Sequence, residues 1–272
     1  MAYYSPLRYP GGKGKMYRQT LNILADNNLL GCTYVEAFAG GANLALNLLF
    51  RGDVESIILN DNDPAIYSMW AAILNYGPEF INMIINTPVT LEEWKNQKQI
   101  YTDGTDSILK LGFSAFFLNR TNHSGIISSG PIGGYEQKGN YHIDCRFNKE
   151  SLAKRVKRIY DSRAHIQIFD FDARDFLRLH FPDNTFFFID PPYFVKGHQL
   201  YKNSFREADH IQVSEAVRQL HYPWVVTYDN VPQIRSMYST SAGIEYELTY
   251  TAETKRTGAE IMFYRNDLNI NF

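Results

Sequence analysis

A chain of 272 residues with 44% hydrophobic content can bury one large core or a core carrying an insertion, which excludes a disordered polymer. Its net charge of -2 argues against a protein coated in nucleic acid but leaves room for a local basic face. Cys32 and Cys145 form no paired motif, the seven histidines lack metal spacing, no apolar run reaches bilayer length and the N-terminus lacks a leader pattern. No disulfide framework, metal site or membrane span is therefore expected, and a soluble cytoplasmic protein is.

The first informative stretch is Leu7-Arg8-Tyr9-Pro10-Gly11-Gly12-Lys13-Gly14-Lys15. Its glycines permit a tight backbone and its lysines supply charge, so it can hold an anion, although an ordinary leader reads equally well and the spacing is not that of a P-loop. A helix over about Met16 to Asn27 follows. Thr33 to Asn43 then reads as a strand entering the Gly40-Gly41 turn and a helix through about Phe50. About 20 residues on, the strand Ile57-Ile58-Leu59 ends in Asn60-Asp61, the spacing at which a carboxylate reaches ribose hydroxyls. A nucleoside-containing cofactor is implied, with a plain βαβ turn as the alternative. The loop lacks a full Gly-x-Gly-x-x-Gly, so a nicotinamide cofactor gains no support.

After a helix from about Pro64 to Leu74, residues 75–150 read as an insertion whose first half, including Leu91 to Tyr101 and Ser107 to Leu118, is helical in pattern and whose second half is dense in turn residues. The turn-rich half carries Asn119-Arg120-Thr121-Asn122-His123-Ser124-Gly125 and Gly130 to Tyr141 on an expected hairpin, with side chains suited to base edges and phosphates. Ordinary surface loops share this chemistry. The helix from about Lys149 to Tyr160 carries Lys149, Lys154, Arg155, Lys157 and Arg158, either a face for a phosphate backbone or a solvated one. Next, Ile166 to Phe169 reads as a strand with Asp172 beyond it, able to accept from an adenine amine. Phe171 or Phe176 is available to lie against the ring, or to fill the core.

The stretch Thr185-Phe186-Phe187-Phe188-Ile189, closed by Asp190-Pro191-Pro192-Tyr193, reads as a strand buried on both faces. In open α/β sheets ligands bind beyond the carboxyl ends of the strands, which puts Asp190 where chemistry is done. Its carboxylate and the Pro191 carbonyl are two acceptors held by stiff backbone, matched to an amino group, and Tyr193 offers a ring for stacking on a planar amine. The plain alternative is a strand stopping at a proline turn. Phe194 to Phe205, with Lys196, His198, Tyr201, Lys202 and Asn203, reads as a polar loop placed to close over substrate. A helix over Gln212 to Leu220, the strand Trp224 to Tyr228 ending in Asp229-Asn230, and a closing antiparallel pair, Glu245 to Thr251 with Ile261 to Tyr264, complete an α/β pattern.

Taken in order, Pro10-Gly11-Gly12-Lys13, Glu36-x-Phe38-Ala39-Gly40, Asn60-Asp61, Asn119-Arg120-Thr121 and Asp190-Pro191-Pro192-Tyr193 resemble the Dam-like DNA adenine methyltransferases over most of the chain. The resemblance implies a Rossmann-like methyltransferase sheet with helices on both faces, formed by residues 1–74 and 151–272. Residues 75–150 would be an inserted, mainly helical DNA-recognition subdomain with a hairpin. It implies S-adenosyl-L-methionine as cofactor, near Tyr9, Gly12, Lys13, Glu36, Phe38, Ala39, Gly40, Asp61, Asn62, Asp172, Ala173 and Asp190. Asp190, Pro191, Pro192 and Tyr193 would act on an adenine flipped from double-stranded DNA. Arg120, Asn122, His123, Ser124, Tyr135, Lys138, Asn140, Tyr141 and Arg146 would contact that DNA. A restriction endonuclease for the same site is a further implied partner. Ala42 departs from the family's usual glycine. An RNA base or a protein glutamine as the methylated amine, and a DNA-binding regulator without catalysis, are the rival readings.

Overall fold

A computed structural model describes residues 3–8, 13–195, 205–250 and 256–271; of side chains 14, 15, 247–250 and 256–259 nothing is said. The described strands form a seven-stranded mixed sheet in the order β3-β2-β1-β4-β5-β7-β6, within an α/β fold as expected. They are β1 (Thr33–Glu36), β2 (Ser56–Asn60), β3 (Ile166–Phe169), β4 (Thr185–Ile189), β5 (Trp224–Asp229), β6 (Ala242–Tyr250) and β7 (Arg256–Tyr264). The chain divides into two compact units, one of Met1–Gly12, Gly40–Asn43 and Asp61–Asp170, the other of Lys13–Ala39, Leu44–Asn60 and Phe171–Phe272.

In the second unit β1 pairs in parallel with β2 on one side and β4 on the other, and β4 pairs in parallel with β5. β7 runs antiparallel between β5 and β6. All five residues of β4 are buried, as suits a central strand of β-branched and aromatic residues, and the prolines after Asp190 end it because they have no amide to give the ladder. The chain order turns back between β1 and β4, so the ends of these two strands define a switch point of the kind where α/β sheets bind ligands.

The first unit is mainly helical: α3 (Pro64–Asn75), α4 (Gly77–Asn86), α5 (Leu91–Asp103), α6 (Ile108–Thr121) and α7 (Lys149–Asp161), labelled after α1 (Tyr17–Asp26) and α2 (Asn43–Arg51). Helix α3 begins with a proline behind Asp63, whose side chain accepts from the Ala65 amide; Thr90, Ser107 and Asn148 cap α5, α6 and α7 in the same way. Phe80, Phe113, Phe116, Phe117 and Phe147 pack edge-on or tilted to form the unit's core. Gly112 lets α6 approach α3 closely, since a Cβ there would stand 2.4 Å from the Ser68 carbonyl oxygen.

One expectation changes here. The hairpin expected within residues 119–146 is a single antiparallel bridge, Asn122 to Pro131, followed by turns. The reason is Asn122: its amide donates to the carbonyls of Ile126, Ile127 and Ser129 at 2.9 to 3.1 Å, taking acceptors that a strand ladder would use. The helix Gly77–Asn86 falls within the half of the insertion that reads as helical. Among the described residues no helix is long and apolar enough to cross a membrane.

Candidate active site

Asp190 leaves the C-terminal end of β4 and is held by one neighbouring strand and by the turn before α1. Thr227 of β5 donates its hydroxyl to Oδ1 of Asp190 at 2.6 Å, and the Lys13 ammonium stands 3.3 Å from the same oxygen. Among the described residues nothing donates to Oδ2 or to the Pro191 carbonyl, so these two acceptors stay open. Burial raises the Asp190 pKa, opposed by Lys13 and the Thr227 hydrogen bond. Lys13 also donates to the Tyr193 hydroxyl and lies 4.7 Å from that ring's centre. Its other neighbour is Glu260 of β7, at 3.3 Å and 1% exposed.

Beyond the motif the backbone is gripped by a second carboxylate. Asp229, at the end of β5, accepts from the Phe194 amide through one oxygen and from the Val195 amide through the other, each at 2.9 Å. These bonds fix the turn that carries Tyr193. His210 packs against Phe194 and Phe205 from beneath. Of the expected closing loop, residues 196–204 lie outside the described residues, as do Tyr9, Pro10, Gly11 and Gly12.

The expected cofactor residues fall as follows. In the second unit Glu36 ends β1 and is buried, accepting from the Tyr34 hydroxyl and the Ala45 amide at 3.2 Å; burial raises its pKa to about 8. Phe38 is half-buried and edge-on to Phe205, and Ala39 is buried, its amide bonded to the Asn60 carbonyl. Asp172 caps a short helix, Ala173–Phe176, whose first residue Ala173 is buried. The Asp172 carboxylate meets the Arg174 guanidinium in a fork of 2.6 and 2.7 Å, which lowers its pKa. A contact to an adenine amine would share that carboxylate with Arg174.

In the first unit, Asp61 accepts from the Gly40 amide at 2.8 Å and the Asp63 amide at 3.0 Å, and Trp70 donates to the Gly40 carbonyl. Burial raises the Asp61 pKa to about 6 against these two amides; Asn62 is exposed. Gly40 has φ of 46° and Ala42 φ of 44°, so the turn after β1 is left-handed at two positions, one of them occupied by a residue with a Cβ. The tight turn and the free carboxylate lone pairs are the features that a nucleoside with a sugar diol would require.

The expected DNA contacts divide into three groups, all in the first unit. His123, Ser124, Asn140, Tyr141 and Arg146 line one cavity of about 290 Å³, together with Arg8. Tyr135 and Lys138 are exposed outside that lining, the former edge-on to Trp94 and the latter paired with Glu136. Asn122 and Arg120 are buried: Asn122 is 0% exposed and also accepts from the Trp94 indole at 2.6 Å. Arg120 is 9% exposed, and burial with Arg155, Arg8 and Arg146 nearby lowers its pKa to about 10. On the basic helix α7 Lys154 pairs with Glu150 and Lys157 with Asp161, while Arg155 and Arg158 lie over the rings of Tyr3 and Tyr4 and keep their charge.

The profile of the D12 class N6 adenine-specific DNA methyltransferases matches residues 9–255. The chain belongs to this family. It is 26% identical over 204 residues to Modification methylase StsI of Streptococcus sanguinis, covering 70% of this chain and 29% of that protein. Modification methylase LlaI of Lactococcus lactis subsp. lactis is 25% identical over 207 residues, covering 70% and 30%. The matched part thus spans under a third of these relatives' length. Among solved structures, the Escherichia coli protein yhhF aligns at 12% identity with a TM-score of 0.40, covering 96% of this chain and 91% of that one. The Haemophilus influenzae protein HI0767 aligns at 10% identity with a TM-score of 0.40, covering 93% and 89%.

In this D12 class chain the reading of the sequence left out Thr227, Asp229, Tyr246, Glu260 and Arg8 as site residues. A signal existed for three of them: Thr227 and Asp229 are polar positions on the wholly buried strand β5, and Glu260 is a lone carboxylate in the apolar run Ala259-Glu260-Ile261-Met262. Arg8 carries no such signal, since its place at the cavity depends on Asn119, which bonds both the amide and the carbonyl of Arg8 from 111 residues away.

Proposed function

We propose that the protein is a site-specific DNA adenine methyltransferase, moving the methyl group of S-adenosyl-L-methionine to the exocyclic amine of an adenine flipped out of double-stranded DNA. The observation that carries this is the state of Asp190. One oxygen is pinned by Thr227 and Lys13, while among the described residues the other oxygen and the Pro191 carbonyl have no donor and can meet a two-hydrogen one. An aromatic amine's lone pair is delocalised into its ring. Two converging acceptors favour the pyramidal amine, whose lone pair can attack in line. The Tyr193 ring, held by Lys13 and by the Asp229-bonded turn, is the one we assign to stacking on the adenine.

When bound, the cofactor supplies an already activated methyl, so the chain has only to position the amine and accept its proton. Glu36, Phe38, Ala39, Gly40, Asp61, Asp172 and Lys13 are the residues we assign to it, with Asp61 on the ribose. We assign residues 75–150 to target recognition, through the cavity lined by Arg8, His123, Asn140, Tyr141 and Arg146. A restriction endonuclease acting on the same site is a natural partner, in keeping with the modification methylases that the chain resembles.

The test is incubation of unmodified DNA with the protein and S-adenosyl-L-methionine, followed by modification-sensitive sequencing. Methyladenine at a defined site is expected, and Asp190→Ala should abolish it while the cofactor still binds. Methylation by Asp190→Ala at the wild-type rate would refute the assignment.

A further inference from the structure

Glu260 sits in the interior of the second unit with its two oxygens in different states. Oε2 accepts from the Tyr246 hydroxyl at 2.8 Å and lies 3.3 Å from the Lys13 ammonium. Oε1 is buried and has no hydrogen-bond partner among the described residues. A buried carboxylate left half-satisfied is costly, so its presence at this point calls for a role beyond packing. Lys13 supplies the link, because its ammonium is equidistant, at 3.3 Å, from Glu260 and from Asp190.

We infer that Glu260 is a positioning residue of the methyl-transfer site, holding Lys13 between two carboxylates so that Asp190 keeps an open, strongly accepting oxygen for the target amine. The inference rests on the reading of Asp190 given above. Without Glu260, Lys13 would close on Asp190 as a simple ion pair and weaken it as an acceptor. Lys13 also holds the Tyr193 hydroxyl, so the same carboxylate helps set the stacking ring.

The charges around Asp190 fix the sign of the test. Facing it are Lys13 from the turn before α1, Glu36 and Tyr34 from β1, Thr227 and Tyr228 from β5, Tyr246 from β6, Glu260 from β7 and Tyr193 from its own turn. Lys13 and the Thr227 bond lower the Asp190 pKa, whereas the negative charge of Glu260 raises it. Removing that charge therefore lets Asp190 stay ionised to lower pH.

Single-turnover methylation of cognate DNA should be followed against pH for the wild type, Glu260→Gln and Glu260→Asp, with cofactor affinity and melting temperature measured alongside. Glu260→Gln keeps the shape and an acceptor for Tyr246. Its rate should fall up to about tenfold, the equivalent of one pKa unit of acceptor strength, and its acid limb should move down by about one pH unit, with cofactor affinity kept. Glu260→Asp, with its charge one methylene further from Lys13, should move both quantities in the same direction by less, and it decides the matter if Glu260→Gln does not fold. Wild-type rate and acid limb in the variants would overturn the inference, as would a slower enzyme with an unmoved acid limb. A wild-type protein that methylates no DNA would instead remove the functional reading beneath it.

Discussion

Thr227 of β5 and Asp190, the residue just after the neighbouring parallel strand β4, are joined by a 2.6 Å hydrogen bond, the hydroxyl of one meeting Oδ1 of the other. The bond orients the carboxylate and lowers a pKa that burial raises. Thr227→Val keeps the volume and deletes the donor. The acid limb of the methylation rate should then rise, because Asp190 protonates more readily, and the rate at neutral pH should fall by about tenfold. A pH series of single-turnover rates checks both.

Asp229 spends its carboxylate on two consecutive amides, those of Phe194 and Val195. Asp229→Asn leaves one acceptor and turns the other position into a donor facing an amide. The turn that carries Tyr193 should loosen. DNA should then bind with a higher KM and with weaker fluorescence enhancement from 2-aminopurine at the target position, while cofactor affinity measured by calorimetry stays within about twofold.

Glu36 gives the protein a pH dependence of stability with a definite sign. Burial raises its pKa from 4.5 to about 8, so between these values the folded chain holds a proton that the unfolded chain has released. Its contribution to stability is complete below the unfolded value and is lost as pH rises through about 8. Urea midpoints without cofactor should fall over that window, and Glu36→Gln should flatten the fall.

Arg8 and Arg146 line the same cavity, and Arg146 lies close enough to depress the Arg8 pKa, after burial. Arg146→Gln should weaken DNA binding and reduce the slope of log affinity against log salt by about one if the side chain meets a phosphate. Equal loss on cognate and unrelated duplexes identifies a backbone contact. Loss confined to the cognate duplex identifies a base reader. Fluorescence anisotropy at several salt concentrations distinguishes them.

Local chemistry made much of this protein legible in its sequence. The run Thr185 to Ile189 could only be a buried strand, and the prolines after Asp190 could only end it. Helix α4 lies in the half of the insertion that reads as helical, and Pro78 suits its first turn because the missing amide has no intrahelical partner there. The turn-rich stretch from Asn119 read as a hairpin because glycine and proline mark turns without saying what closes them; a buried asparagine does so here.

The sequence by itself determined the strands, the glycine turn, the Asp-Pro-Pro-Tyr motif and the family to which they belong, because each is written in adjacent residues. The tertiary structure decided which distant groups converge on Asp190. Lys13 and Glu260 are 247 residues apart, and their 3.3 Å approach follows from the placement of β7 beside β5. No local pattern encodes that distance. It exists only once the sheet order is set, because a carboxylate takes its acceptor strength from whatever the fold brings beside it.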